Sequence, residues 1–180
     1  FTQYRPALTG SGQTEKIHGS IVTPDFFSLL GVSPVLGRDF EAADAEPGKR
    51  IVMLSHGLWQ RRFGADPGLV GQQIQLNNIA YTVVGVLPQA FHPLSEDKDL
   101  YRPMGLDNVT ADRGFRILPL IGRLKESVTI EEAQAEMSAI AGRLETQYPE
   151  TNTGYDVTLI SLEKQVTGDV RPGLLLLLAA

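Results

Sequence analysis

The strongest local constraint on this chain is the stretch Thr129-Ile-Glu-Glu132 and the 16 or so residues after it. A threonine followed three residues later by glutamate is a capping box, in which each side chain satisfies a backbone N–H that the first helical turn leaves without a partner. Ile130, Ala133, Met137, Ile140, Ala141 and Leu144 then recur at helical spacing on one stripe. Glu131, Gln134, Ser138 and Glu145 lie away from it, and Pro149 ends the helix near Tyr148. Leu120–Leu124 reads as a strand before it, and Tyr155, Val157 and Leu159 alternate with Asp156 and Thr158 as a strand behind it. Strand, helix and strand at this spacing predict a parallel, right-handed βαβ unit.

The first half carries a second set of signals. Lys16–Val22 reads as a strand. Thr23-Pro24 reads as a helix start, with Thr23 as N-cap, and Gly31 as the stop. Residues 51–54 are apolar and strand-like, and residues 56–63 open a helix. Ile74 and Leu76 alternate with polar neighbours, Asn77-Asn78 supplies a tight turn, and Tyr81–Leu87 returns as a more apolar strand. Residues 88–114 read as loop, with a short strand at Leu100–Arg102. The fold class expected is α+β.

Ser55 is the one residue that invites a catalytic reading. It sits where strand turns to helix, and His56 follows it. A nucleophile elbow, however, needs glycine on both sides, and the flanking positions here are Met53 and Gly57. Serine is also a preferred N-cap, so the expectation is that Ser55 starts a helix. Trp59 and Phe63, one turn apart, are expected to face the core, and Arg61 and Arg62 a solvated face. The acidic residues Asp39, Glu41, Asp44 and Glu46 lack the spacing of a calcium loop and read as a soluble loop. Glu96, Asp97 and Asp99 read the same way. His18 and His92 have no partner at zinc-ligand spacing. No catalytic, cofactor-binding or metal-binding residue is therefore expected, and an enzyme is not.

With 180 residues the chain suffices for one ordinary domain or two small lobes. Its net charge of −5 argues against a nucleic-acid partner. The absence of cysteine excludes disulfides and thiolate chemistry, and suits an oxidising compartment. The closing run Leu174–Ala180 is wholly apolar yet far shorter than the ~20 residues that span a bilayer. It reads either as a buried terminal helix or strand or, since a soluble chain rarely leaves such a run unshielded, as the opening of a membrane helix, the reading favoured.

Three stretches together carry a family resemblance: VTPDFFSLLGVSPVLGRDF, IVMLSHGLWQRRFGADPGLVGQQIQLNNIAYTVVGVLP and IGRLKESVTIEEAQAEMSAIAGRLETQYPETNTG. In this order they resemble the MacB-like periplasmic core domain of ABC-transporter permeases (the FtsX/MacB superfamily), and among these the duplicated permeases of acidobacterial type. The chain departs from the family pattern at Asn77-Asn78, at Tyr101 and at Glu126-Ser127, all in loops, turns or a short strand. The resemblance implies two lobes: a porter-like lobe built on the βαβ unit, and a strand-rich lobe, approximately residues 45–104, inserted within it. It implies an extracytoplasmic core over residues 1–172, with 173–180 starting a membrane helix. It further implies a bacterial inner-membrane protein, no enzymatic activity in this domain and no cofactor. Its partners would be an ABC ATPase reached through the membrane helices, a periplasmic protein, and a second copy of the chain. The role implied is to couple ATP-driven motion to export or to that partner. Two other classes stay open from the residues alone: a two-lobed module that captures a ligand, and a serine hydrolase using Ser55.

Overall fold

A computed structural model describes residues 2–10, 12–91, 98–104 and 120–167. The chain divides into two compact units, one formed by residues 1–111 with 117–121, the other by residues 112–116 with 122–180.

The first unit is built on one mixed sheet. Its strands are β1 (Thr2–Tyr4), β2 (Ala7–Thr9), β3 (Glu15–Lys16), β4 (Gly19–Val22), β5 (Leu36–Gly37), β6 (Ile51–Leu54), β7 (Gln73–Leu76), β8 (Ile79–Val86) and β9 (Leu100–Pro103). They lie in the order β1-β4-β9-β6-β8-β7-β2-β3, with β5 also on β8. The pairs β4–β9 and β6–β8 are parallel, and the rest are antiparallel. β3 and β4 stand near opposite ends of this order, yet only Ile17 and His18 separate them in sequence. Three peptide links reach about 11 Å at most, so the sheet has to curl until its two ends approach. Ile17 sits at that seam, fully buried, with its N–H donated to the Pro6 carbonyl at 3.0 Å.

The expected single strand over Lys16–Val22 is thus two short ones. Alternation of side chains continues across the break, but the backbone changes partner there, from β2 to β1 and β9. The helix after it also begins later than Thr23-Pro24 implies. Helix α1 spans Phe26–Leu30 with Asp25 at the N-cap and no side-chain cap bond, because the Phe26 N–H goes to the Thr23 carbonyl in a turn. Gly31 ends α1 in the left-handed region, φ 72°.

Helix α2 (His56–Phe63) connects β6 to the hairpin of β7 and β8, and β6 runs parallel to β8. Helical crossover between parallel strands is therefore found over residues 51–86. The hairpin turns on Asn77 and Asn78, both with positive φ (51° and 63°), the combination a type I′ turn needs and asparagine tolerates. The Asn77 side chain accepts the Ala7 N–H at 2.9 Å and its own N–H goes to the Ala7 carbonyl at 2.8 Å, so the turn is pinned to β2.

Two apolar clusters fill this unit. Leu8, Ile17, Val52, Leu54, Leu58, Ile74, Leu76, Tyr81, Val83 and Leu100 form one, from residues that alternate along the strands. The other gathers Val22, Phe27, Phe40, Met53, Val84, Leu87 and Tyr101. Phe27 is at its centre, edge-on to Tyr101 at 5.1 Å and to Phe91 at 5.6 Å between centroids.

The second unit is helical in its described part. Helix α3 (Ile130–Gln147) opens on the capping box read from the sequence: Glu132 N–H donates to Thr129 Oγ1 at 3.2 Å, and Thr129 N–H to Glu132 Oε2 at 2.9 Å. Helices α4 (Pro149–Asn152) and α5 (Leu162–Thr167) follow. Neither 120–124 nor 155–159 is a strand, which corrects the βαβ unit expected around α3. The reason is visible at Gln134. Its Nε2 donates to the Val157 carbonyl at 2.6 Å and its Oε1 accepts the Leu159 N–H at 2.8 Å. A neighbouring parallel strand would offer those same two groups to the residues either side of Thr158. The side-chain amide occupies that place, so alternation in the sequence is present without a ladder.

Candidate functional site

Ser55 lies between β6 and α2 with extended backbone angles, φ −68° and ψ 155°. Its Oγ accepts the Leu58 N–H at 3.1 Å, which is the N-cap bond. The His56 ring turns to Trp59 instead, edge-on with centroids 5.4 Å apart. Trp59 is half-buried, and its Nε1–H donates to the Asp66 carbonyl at 2.9 Å beyond the end of α2. Phe63 packs on the first core cluster, as its position one turn on from Trp59 implies.

Asp99 is the residue that composition and spacing missed. Read as part of a solvated loop, it joins three elements. Its Oδ2 accepts the His18 N–H at 2.9 Å, its N–H donates to the His18 carbonyl at 2.6 Å, and its own carbonyl accepts the Ser55 N–H at 2.8 Å. Its Oδ1 accepts from Arg61 Nη2 at 3.0 Å. Arg61 also reaches Glu15 at 2.8 Å, and Arg62 reaches Glu15 at 3.5 Å and the Gln13 carbonyl at 2.9 Å. The two arginines expected on a solvated face therefore tie α2 to the β3 edge and to the start of β9. Burial works against the Arg61 charge, but the bonds to Asp99 and Glu15 outweigh it and raise its pKa above the ordinary value. The only sequence signal for this knot was an i, i+1 pair of arginines on a helix whose other face is apolar; their partners are 38 and 46 residues away.

The acidic stretch is likewise built in. Ala42–Ala45 forms a 3₁₀ turn with a reciprocal capping box between Glu41 and Asp44. Asp44, 5% exposed, takes a two-pronged contact from Arg38 at 2.6 and 2.9 Å and accepts the Glu41 N–H at 3.0 Å. The Arg38 bond, against the opposing effect of burial, holds the Asp44 carboxyl below the usual carboxylate range. Asp39 shifts the other way, pushed up by burial although its carboxylate accepts the Phe40 N–H at 2.7 Å. The Asp44 carboxylate is engaged by three donors, two from Arg38 and one from the Glu41 N–H. Among the described residues no group of three or more His, Asp or Glu side chains is arranged to hold a metal ion. His92, Glu96, Asp97 and the run Leu174–Ala180 lie outside the described residues. No described helix is long and apolar enough to cross a membrane.

These polar groups brace elements against each other. The class defined is an α+β chain of two units, the first braced internally by ion pairs and both carrying capped helices. Comparison with known proteins gives that class its family. Residues 2–140 match the MacB-like periplasmic core domain, and the chain belongs to that family of extracytoplasmic domains of ABC-transporter permeases, which is non-enzymatic. A curated relative, the "Probable syringafactin export ATP-binding/permease protein SyfD" of Pseudomonas syringae pv. syringae (strain B728a), is 30% identical over 79 residues, 44% of this chain and 12% of that protein. The chain thus spans a small part of that relative's length. Two solved structures share the fold. The periplasmic region of MacB from Actinobacillus actinomycetemcomitans superposes with a TM-score of 0.56 at 17% identity, over 84% of this chain and 66% of the other. The extracellular domain of the noncanonic ABC-type transporter YknZ from Gram-positive bacteria superposes with a TM-score of 0.59 at 15% identity, over 87% of this chain and 78% of the other. Both are two-lobed α+β bodies, the fold class of this chain.

Proposed function

We propose that this chain is a passive lever: the periplasmic part of an inner-membrane permease that passes ATP-driven motion from a cytoplasmic ABC ATPase to an export step or to a periplasmic partner. The observation that carries the reading is the family match over residues 2–140. On this reading residues 1–172 form the periplasmic core, with the stretch 45–104 as an inserted lobe, and residues 173–180 begin a membrane helix joined to the motor. The parent protein is of the acidobacterial duplicated-permease type and works as a dimer. The physical character of the first unit supports this. A lever has to resist deformation, and a close-packed interior under a curled sheet, with its loops tied by Asp99 and Asp44, moves as a piece. The domain contributes no reaction centre of its own, and Ser55 serves as a helix cap.

The test uses the full-length protein with its ATPase, rendered free of other cysteines. A spin label is placed at the exposed position Lys49 (K49C) and the distance between copies is read without nucleotide and in the vanadate-trapped state. Lever action predicts two different distance distributions. Identical distributions in the two states would overturn it.

A further inference from the structure

Gln134 performs a backbone's task with a side chain, and its neighbours extend the arrangement. Its Nε2 also donates to Ser138 Oγ at 3.1 Å, one helical turn on, and Ser138 Oγ donates to Asp156 Oδ2 at 3.4 Å. Asp156 Oδ1 in turn accepts the Val157 N–H at 2.7 Å. With the two bonds from Gln134 to Val157 and Leu159, residues 156–159 are fastened to the middle of α3 at three points, Asp156, Val157 and Leu159. Apolar burial backs this up only in part, with Val157 and Leu159 half-buried. Ala133 is the one buried side chain of α3, and Tyr155 and Ile160, at the two ends of the fastened segment, are 57% and 61% exposed. Where apolar burial is slight, the hydrogen bonds decide which register the segment keeps.

We infer that Gln134, with Ser138 and Asp156, is a latch that locks the segment 156–159 to α3, so that α3 and the chain entering α5 move together. Gln134 is on this account a positioning residue, and the mechanical use of the latch rests on the lever reading above. The carboxamide is the side chain suited to the task, since it offers one donor and one acceptor at the spacing of a peptide group. Glutamate keeps the acceptor for the Leu159 N–H and loses the donor to the Val157 carbonyl. Asparagine keeps both groups on a stem one methylene shorter. Leucine keeps the volume and loses both.

Hydrogen exchange on the full-length protein without nucleotide tests the latch by itself. In Gln134→Leu the Leu159 amide is expected to exchange about tenfold faster, while the Ile140 amide in mid-α3 keeps its rate. Gln134→Asn should match the leucine variant, and Gln134→Glu should fall between it and the parent. If Gln134→Leu fails to fold, Gln134→Asn, which draws both groups back by one methylene, serves in its place. An unchanged Leu159 rate in whichever variant folds overturns the latch, as does an equal rise at Ile140, which would mean general loosening. The coupling is read separately, from labels at the exposed positions Ala139 and Thr158 (A139C, T158C). Nucleotide-driven displacement should persist at Ala139 in Gln134→Leu and drop by more than half at Thr158. Equal displacement at both positions in the variant overturns the coupling. Absence of displacement at both positions in the parent protein overturns the lever reading and leaves the exchange result standing.

Discussion

Gly37 stands opposite Gly85 in the β5–β8 ladder, and neither position has room for a methyl group. A Cβ on Gly85 would lie 2.7 Å from the Arg38 carbonyl oxygen; one on Gly37 would lie 2.1 Å from that of Val84. Backbone is the obstacle at both, so no side chain can swing aside. This contact holds the 36–38 strap across β8 and leads directly to Arg38 and its partner Asp44. Gly85→Ala is expected to lower unfolding free energy by about 1–3 kcal/mol in chemical denaturation. Gly37→Ala should cost more, because φ of 75° adds strain of about 1 kcal/mol for any residue with a Cβ.

The Asp44 carboxyl sets a pH dependence. Its folded pKa is depressed by Arg38, so its contribution is present above the unfolded carboxylate value of about 3.9 and is lost as pH falls through the lower folded value. Asp39 has the opposite sign. Its raised folded pKa favours the protonated form, so its contribution is largest below the unfolded value and fades as pH rises through the folded one. Denaturation midpoints between about pH 5 and pH 2 should therefore fall less steeply in Asp44→Asn than in the parent. A slope equal to the parent's would count against the Arg38 pairing.

Loss of the cap at Ser55 is expected to cost about 1 kcal/mol in Ser55→Ala, within the 0.5–2 kcal/mol usual for such caps, and Ser55→Thr should recover most of it. Ester hydrolysis assayed on the same preparations should show no difference between parent and variant. A hydrolytic activity that disappears in Ser55→Ala while the melting temperature holds would restore the nucleophile.

The knot at Asp99 makes a ranked prediction. Arg61→Ala removes two ion pairs, to Asp99 and to Glu15, from a side chain that is 49% exposed, so it should cost about 0.5–1 kcal/mol after solvent screening. Asp99→Ala removes the pair with Arg61 and also the exposed bond to the His18 N–H, and should cost about 0.5–1.5 kcal/mol more. A double-mutant cycle should return a coupling smaller than the Asp99→Ala effect. Equal costs for the two single variants would show that the main-chain bond contributes nothing.

Gly142 offers a change in the opposite direction. It lies exposed within α3, and a Cβ there would meet nothing within 4 Å. Gly142→Ala should raise stability by about 0.5–1 kcal/mol, read as a higher thermal midpoint for α3 by far-ultraviolet dichroism.

What the sequence made legible was local. The Ser55 cap, helix 56–63, the Asn77-Asn78 turn and the Thr129/Glu132 box each depend on residues within about four positions of one another, and each is where the pattern puts it. The turn at Glu126-Ser127, one of the departures from the family pattern, also forms, with Val128 N–H donating to the Lys125 carbonyl at 3.0 Å. What stayed hidden was set by distant partners. Lys16–Val22 alternates as one strand but changes ladder at Ile17-His18, because the sheet curls there. Arg61 and Asp99 look like surface charges until the fold brings these two positions, 38 apart in sequence, together. Residues 155–159 alternate as a strand should, yet a helix side chain takes the place of the partner, a substitution no periodicity can reveal. The family resemblance rested on ordered motifs, and those are mainly the caps, turns and glycines that local chemistry fixes.

The central claim is that this body works outside the cytoplasm as part of a membrane permease. Its sharpest test is the sidedness of Lys49, exposed beside the Asp44 turn. Spheroplasts making the full-length protein as a single-cysteine K49C variant are treated with a membrane-impermeant maleimide before and after lysis. The account predicts complete labelling on sealed spheroplasts and no gain on lysis. Labelling that appears only once the membrane is broken would put the domain on the cytoplasmic side and contradict it.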